Sequence, residues 1–330
     1  MGVNRRAHRL KRRFQRWLIR ARKVSFPGFD GVPLYDVLLF LYRSIADGAF
    51  TTRASAIAFS FFLALFPAII FIFTLIPYIP IQHFPEELFQ LIQNFLPPRT
   101  FMVVEETIQD ILTHQRGGLL SLGFFMALIF STNGLASMMN AFDASLHSSD
   151  SRSWIQQRLV AIILLFILAV LLTLSITIIT VGQVAIDYLN QSHLLGTQFN
   201  YYLLSAGKWV IIVGLFFFAY SSLYFFAPTK KTRWRFISAG STLATLLSII
   251  VMTGFSFYIT HFGQYNKLYG SIGTLLVVLL LFYVMSLVLL IGFELNSSIR
   301  AARRNKSTIV RILERQQKKN NESSFPHLKE

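Results

Sequence analysis

The chain has 330 residues, 54% of them hydrophobic and 14% charged, whereas a soluble domain carries about 25% charged residues, so a membrane protein is predicted. The absence of cysteine excludes a disulfide framework, a thiolate nucleophile and a cysteine-based metal site. The formal net charge of +16 fits either nucleic-acid binding or the basic loops of a multi-span membrane protein.

Residues 1–54 predict a basic cytoplasmic region with amphipathic interfacial helices. Within 10–21, apolar residues recur at helical spacing and Arg or Lys fills the other faces, which is typical of a helix on the inner leaflet. A disordered basic arm is the alternative. Residues 33–47 are apolar but short and carry Asp36 and Arg43, so a second interfacial helix is predicted there.

Six apolar runs then follow, and each is long enough to cross a bilayer core about 30 Å thick as a helix. The strict alternation of barrel strands is absent, so the fold class is all-α: a polytopic membrane protein with six transmembrane helices in a membrane domain at 55–298. The runs lie at about 55–78, 118–141, 159–186, 203–226, 236–260 and 271–298.

The segments between and after the runs differ in size. The loop 81–117 contains two amphipathic patterns interrupted by "LPPRT", which predicts a small helical external cap. Residues 299–330 form a basic cytoplasmic tail, predicted to continue as a helix to about 320 and to be disordered from Asn320 onward.

The positions of the basic residues predict the orientation. Of the 31 Lys and Arg residues, 27 fall on one side of the six runs and 4 on the other. Both termini are therefore predicted to be cytoplasmic, in contact with anionic lipid headgroups. Because the charges follow the membrane topology and no soluble domain is present to stack bases, no nucleic-acid partner is expected.

Polar residues inside the runs are the first candidates for a site. Asn133, Ser137 and Asn140 share one face of the second run. Hydroxyl residues also form stripes in the fifth and sixth runs, so three helices could line a common cavity. The alternative is plain helix packing, in which Ser, Thr and Asn hydrogen-bond between neighbouring helices.

Glu294 and Pro67 are two further candidates for a cavity or gate, in the sixth and first runs. Glu294 lies near the end of the sixth run, where a carboxylate is costly, and is either a protonatable gating group or the partner of a basic residue such as Arg53 or Arg235. Pro67 is predicted to kink the first run, as in the broken helices of transporters.

Motifs for catalysis are not recognisable in the chain. The seven His residues do not cluster, and neither a phosphate-binding loop nor a nucleophile elbow is present. We therefore expect no enzyme activity, no catalytic residue, no metal and no cofactor.

Three segments resemble the YihY/BrkB family of bacterial inner-membrane proteins: "RASAIAFSFFLALFPAIIFI" at 53–72, "STNGLASMMNAFD" at 131–143 and "YGSIGTLLVVLLLFYVMSLVLLIGFELNSSI" at 269–299. The family's usual "GAELN" reads "GFELN" here, so Phe293 departs from it while Glu294 and Asn296 match, which adds Asn296 to the candidates. The resemblance covers about residues 35 to 305. It implies a six-span inner-membrane protein, sometimes linked to virulence and suspected of transport.

The function predicted from these observations is a transporter or lipid-handling permease of unknown substrate. The alternative is an envelope or virulence-associated scaffold that transports nothing, and a homo-oligomer stays open. Members of the family are often labelled ribonuclease BN. The residues argue against that activity here, because metal-dependent RNA cleavage needs clustered His and Asp ligands.

Overall fold

The computed structural model describes an all-helical chain. Within the described residues there are seven α-helices and no strand. The described residues are 28–29, 31–46, 49–78, 114–146, 152–191, 198–229, 236–261 and 265–324, with isolated helical positions at 89, 93, 105–106 and 109–110. The helices are α1 (Leu34–Ala46), α2 (Ala49–Leu75, followed by a 3-10 turn at Ile76–Tyr78), α3 (Gly117–Ser145), α4 (Trp154–Gln191), α5 (Gln198–Phe226), α6 (Ala239–His261) and α7 (Tyr265–Ser324).

Six of these helices, α2 to α7, are long and apolar enough to cross a membrane. The predicted all-α, six-span fold is therefore confirmed. The helices α2 and α4 begin five or six residues before the predicted apolar runs, because their first turns are polar and local hydrophobicity does not reveal them. The predicted helix at 10–21 and most of the predicted cap at 81–117 lie outside the described residues.

The last helix, α7, is longer than the span it contains. It has 60 residues, which at 1.5 Å per residue is about 90 Å, roughly three times the thickness of a bilayer core. The predicted helical continuation beyond 299 is confirmed. The predicted disorder from Asn320 is wrong as far as Ser324, where the helix ends.

The helices α2 and α3 pack closely because two glycines of α3 face aromatic residues of α2. A Cβ atom added to Gly123 would lie 3.2 Å from the backbone of Phe71, and one added to Gly134 would lie 3.0 Å from the ring of Phe61. Small residues at such positions let two helices approach closely in a membrane, where packing rather than hydrophobicity drives association.

The helices α6 and α7 approach still more closely. A Cβ atom added to Gly292 of α7 would lie 2.7 Å from the carbonyl oxygen of Gly240 and 2.8 Å from the Cβ atom of Ala244, both in α6. Real Cβ atoms do not come this close, so only glycine fits at this crossing.

The short helix α1 covers the C-terminal part of the span in α7. Val37 of α1 is fully buried and belongs to a cluster with Leu295, Ile299 and Ala302 of α7. The second helix predicted from the sequence, at 33–47, is therefore present, and its apolar side rests on α7.

Five helix termini lie at one end of the bundle: the start of α2, the end of α3, the start of α4, the end of α5 and the start of α6. The stretch of α7 around Glu294 to Arg300 lies at the same level. We call this the basic end, because the segments that adjoin it carry most of the chain's Lys and Arg residues.

Candidate functional site

Glu294 is buried at the basic end and is held by two other helices. Its side chain is 1% exposed. Arg53 Nη2 of α2 donates to Glu294 Oε1 at 3.2 Å, and Ser44 Oγ of α1 donates to Glu294 Oε2 at 2.6 Å. The ion pair with Arg53, one of the two alternatives in the sequence, is thus present in the structure.

Arg53 also connects α2 to α3. Its Nη1 atom donates to the carbonyl oxygen of Ala141 at 3.1 Å and to Ser145 Oγ at 2.5 Å, both near the end of α3. Arg53 lies inside α2, about one turn from its start, and not in a loop. One guanidinium therefore joins α2, α3 and α7, and α1 is attached through the carboxylate of Glu294.

Three aromatic side chains lie directly beside this ion pair, and we call them the aromatic cluster: Phe142 of α3, Tyr224 of α5 and Phe293 of α7. The rings of Phe142 and Phe293 are stacked, with centroids 3.9 Å apart, and Tyr224 meets both edge-on at 5.8 Å. All three are buried, and Tyr224 donates its hydroxyl hydrogen to the carbonyl oxygen of Leu289 at 2.8 Å. Phe293, the departure from the family motif, therefore fills the centre of this cluster.

A partly open cavity of about 290 Å³ lies on the other side of the aromatic cluster, towards the middle of the bundle. Five helices form its wall, and nearly all the lining side chains are apolar. Two polar groups reach it. Ser286 bonds to the carbonyl oxygen of Phe282 in its own helix, and Tyr220 shares a 2.6 Å hydrogen bond with Ser248 of α6.

The ion pair and the cavity are about one helical turn apart. Ile57 lines the cavity and follows Arg53 by four residues in α2, which is about 6 Å along the axis. Leu289 lines the cavity and precedes Glu294 by five residues in α7. From the middle of the bundle towards the basic end, the order is therefore cavity, aromatic cluster, ion pair.

Asn133 and Asn140 share a face of α3, and the structure places both against α4. Arg158 of α4 donates from Nη2 to Asn133 Oδ1, and Gln157 Nε2 donates to Asn140 Oδ1 at 2.7 Å. Ser137, between them on the same face, is half-buried. None of these three residues lines the described cavity.

Asn296 caps the start of α6. Its Oδ1 atom accepts the backbone N–H of Gly240 at 2.8 Å, and its Nδ2 atom donates to Ser238 Oγ at 2.9 Å. An amide side chain thereby satisfies a backbone donor that has no partner within its own helix.

Pro67 lies inside α2 and is half-buried, and the helix continues through it to Leu75. Pro67, Glu294 and Asn296 are likewise not among the lining residues. The six candidates are thus distributed over four places: Glu294 is in the ion pair, Asn296 caps α6, Pro67 lies within α2, and the other three share the face of α3 that meets α4.

Another group of contacts at the basic end was not recognised in the sequence. Arg152 donates to the carbonyl oxygens of Phe226, Ala227 and Pro228 at 3.3, 2.9 and 2.7 Å, and so binds the end of α5. Burial lowers the pKa of Arg152, and the carboxylate of Asp143 opposes that change. A cation at a helix carboxyl terminus also interacts favourably with the helix dipole.

Asp143 itself binds the residue that follows this end of α5. It accepts the backbone N–H of Thr229 at 2.8 Å and the Thr229 hydroxyl at 2.5 Å. The sequence signal for these contacts is an Asp at the end of one span and an Arg just before the next. That signal gives no indication of which loop the two residues bind.

The part of the chain that the structure describes contains no evident metal site. There, no three His, Cys, Asp or Glu side chains lie together in a group that could hold a metal ion.

Comparison with known proteins identifies the family. A family model described as Virulence factor BrkB matches residues 41–315. The chain belongs to this BrkB family. The resemblance inferred from "GFELN" and the other two segments is therefore confirmed.

Individual relatives of this BrkB family member cover most of its length. YfkH of Bacillus subtilis, which carries the name of a ribonuclease-like protein, is 31% identical over 263 residues, or 78% of this chain and 92% of YfkH. A UPF0761 membrane protein of Aliivibrio salmonicida is 24% identical over 80% of this chain and 83% of its own. A UPF0761 membrane protein of Haemophilus influenzae is 23% identical over 81% and 96%. No solved structure matches the chain.

The structure also assigns a position to each residue of the "GFELN" segment of this BrkB chain. Gly292 permits the contact with α6, Phe293 belongs to the aromatic cluster, Glu294 pairs with Arg53, and Asn296 caps α6. The chain is a multi-pass bacterial membrane protein whose most distinctive motif joins α7 to five other helices: α1, α2, α3, α5 and α6.

Proposed function

We propose that this chain is a permease of the bacterial inner membrane that handles a lipid or another apolar substrate, and that it is not an enzyme. The observation that carries the proposal is the apolar cavity inside the bundle. Ligand sites are usually concave, mostly apolar and furnished with a few polar groups, and a cavity of about 290 Å³ is at the lower end of their size range.

The order of cavity, aromatic cluster and ion pair supports a gate at the basic end. A group that leaves the cavity in that direction first meets Phe142 and Phe293, and then the pair of Arg53 and Glu294. In this proposal Glu294 is a gating residue because its ion pair holds the basic end closed. Asn296 supports the gate by fixing the start of α6 against α7.

The packing of the helices supports a division into two moving parts. The helices α2 and α3 form one pair through Gly123 and Gly134, and α6 and α7 form another through Gly240 and Gly292. The ion pair and the stack of Phe142 on Phe293 both join one pair to the other. Opening the basic end then means moving α7 with α6 away from α2 and α3, while each pair stays packed.

A flux experiment tests the transport part of the proposal. The full chain is reconstituted in phosphatidylethanolamine and phosphatidylglycerol vesicles, and transbilayer movement of a fluorescent phospholipid is followed by dithionite quenching. Wild-type protein should accelerate this movement relative to protein-free vesicles. Ala219 lines the cavity, so Ala219→Phe fills part of it and should abolish most of the acceleration of lipid movement. Ala206→Phe, at an exposed alanine of the same helix, should not.

The outcomes of this experiment separate the proposal from its alternative. Wild-type vesicles that move lipid no faster than empty ones would argue for a scaffold. A gain that survives Ala219→Phe would mean that movement takes place outside the described cavity.

The proposed orientation places the basic end and both termini in the cytoplasm. Its support is the distribution of Lys and Arg, 27 of 31 on one side. Because the chain lacks cysteine, single cysteines at the two ends of α3 can be labelled with an impermeant maleimide. Gly118→Cys should react in spheroplasts, and Ala144→Cys only after lysis. The reverse pattern would invert the topology.

A further inference from the structure

A guanidinium group between α3 and α4 is held by neutral partners. Arg158 donates from Nη1 to Thr132 Oγ1 at 3.0 Å and from Nη2 to Asn133 Oδ1. Its central carbon lies 5.4 Å from the centroid of the Trp154 ring. Among the described residues, Arg158 forms no ion pair with a carboxylate. The group is thus fixed in position while its charge stays uncompensated by described neighbours.

Arg158 lies where the surface of α4 changes from polar to apolar. The uninterrupted apolar run of the helix begins at Leu159. Trp154, 69% exposed, is of a type that is enriched at membrane–water interfaces. On the face of Arg158, one and two turns further along, Ile162 and Phe166 are 42% and 70% exposed. The face therefore presents a cation beside an exposed tryptophan, followed by an apolar stripe that ends about 12 Å beyond the arginine along the helix axis.

We propose that Arg158 binds the phosphate of a phospholipid whose acyl chain lies along Ile162 and Phe166. The planar guanidinium matches phosphate geometry, and the polarity of the stripe matches that of the chain. The hydrogen bonds from Arg158 to α3 reduce the side-chain freedom that is lost when the lipid binds. Asn133 is then a positioning residue that holds the arginine.

The site favours an anionic lipid. The headgroup of phosphatidylglycerol leaves the phosphate charge available, whereas the choline of phosphatidylcholine offsets it. The side chains of Trp154, Ile162 and Phe166 are exposed, and Arg158 is not among the residues that line the cavity. Its occupation therefore does not depend on whether the protein transports lipid.

Quenching of Trp154 fluorescence tests the site. The chain has four tryptophans, and replacing the other three, Trp17, Trp209 and Trp234, with Phe leaves Trp154 as the reporter. Detergent-solubilised protein is titrated with phosphatidylglycerol carrying brominated acyl chains. Losing a charge-assisted contact should shift the midpoint about tenfold upward in Arg158→Gln. Arg116→Gln, at the other end of the bundle, should leave it unchanged.

Further arms of the titration identify the ligand. Arg158→Lys keeps the charge without the planar guanidinium, so its midpoint should lie between those of the wild type and Arg158→Gln. If Arg158→Gln does not fold, the comparison of Arg158→Lys with the wild type tests the site instead. Brominated phosphatidylcholine should quench at a higher midpoint than phosphatidylglycerol, and about 10 mM inorganic phosphate should not reverse the quenching.

Three results would overturn the proposal. An unchanged midpoint in the Arg158 variants would mean that the arginine does not bind the lipid. Equal quenching midpoints for phosphatidylcholine and phosphatidylglycerol would mean that the lipid is bound only by apolar contact with the stripe. Reversal by inorganic phosphate would make this a site for small anions.

Discussion

The basic end of the bundle and its middle are held together in different ways. At the basic end, side chains of one helix bind atoms of another: Arg53 with Glu294, Arg152 with the end of α5, and Asn296 with the start of α6. In the middle, hydroxyls such as those of Ser175, Thr253 and Ser286 bond to carbonyl oxygens four residues earlier in their own helix.

This difference suggests a division of labour. Interhelical polar contacts are specific, so they determine which helices meet and at which level. Apolar packing with locally satisfied hydroxyls leaves the described middle with fewer polar bonds that a moving substrate or a moving helix would have to break, and the bond between Tyr220 and Ser248 is one of them. The permease function that we propose needs both properties, a defined closed end and a compliant interior.

Breaking the Arg53–Glu294 pair should have the largest effect. Glu294→Gln leaves a guanidinium that is only 16% exposed without its counter-charge, so we expect a loss of about 3 kcal/mol in the free energy of unfolding. The measurement is reversible unfolding in detergent micelles. Arg53→Gln should cost a similar amount, and the double variant less than the sum, because two neutral amides leave no buried charge.

The control for this prediction is the exposed pair of Arg116 and Asp110 at the opposite end. Their side chains are 47% and 38% exposed, so Arg116→Gln should change stability by less than about 1 kcal/mol. If Glu294→Gln costs no more than this control, the buried pair does not hold the basic end together.

Widening the contact between α6 and α7 should have the next largest effect. A Cβ atom at Gly240 would lie 2.6 Å from Asn296 Cγ, so Gly240→Ala should cost about 1–3 kcal/mol by overpacking. Gly254→Ala in the same helix meets no atom within 4 Å and should be neutral or stabilising, because Ala favours a helix over Gly. Equal effects of the two substitutions would show that the close contact does not determine stability.

The span positions could be predicted from the sequence, because apolar length is a local property. The partners of the polar residues could not. Periodicity places Asn133 and Asn140 on one face of a helix, but whether that face meets Arg158 and Gln157 or a cavity depends on the rotation of two helices relative to each other. Glu294 shows the same limit: the sequence offered both Arg53 and Arg235 as partners, and only the packing of α2 against α7 selects between them.

Phe293 illustrates a further limit. Its type differs from the family's usual Ala, which the sequence makes visible. That it stacks on Phe142, 151 positions earlier in the chain, depends on the crossing of α3 and α7 and has no local signature.

Removing the cap of α6 should have an intermediate effect. Asn296→Ala leaves the N–H of Gly240 without its acceptor, and the loss of an N-terminal cap costs about 1 kcal/mol. Asn296→Asp keeps an oxygen acceptor, and Ser238 can then donate instead of accept, so most of the stability should remain. If Asp is as destabilising as Ala in thermal unfolding, the side chain acts through something other than the cap.

The smallest effect is expected for a hydroxyl in the middle of the bundle, and a matched pair of serines can detect it. Ser286 and Ser248 both donate to the carbonyl oxygen four residues earlier, but only Ser248 also bonds to a second helix, through Tyr220 at 2.6 Å. Ser286→Ala should therefore change stability by less than about 0.5 kcal/mol. Ser248→Ala should cost about 1 kcal/mol, because it leaves the buried hydroxyl of Tyr220 without a partner.

If the two variants are equally mild, the contact from Tyr220 adds nothing, and the middle of the bundle relies on packing alone. If Ser286→Ala costs as much as Ser248→Ala, its hydroxyl has a role beyond its own helix, and the contrast between the two regions fails at the wall of the cavity.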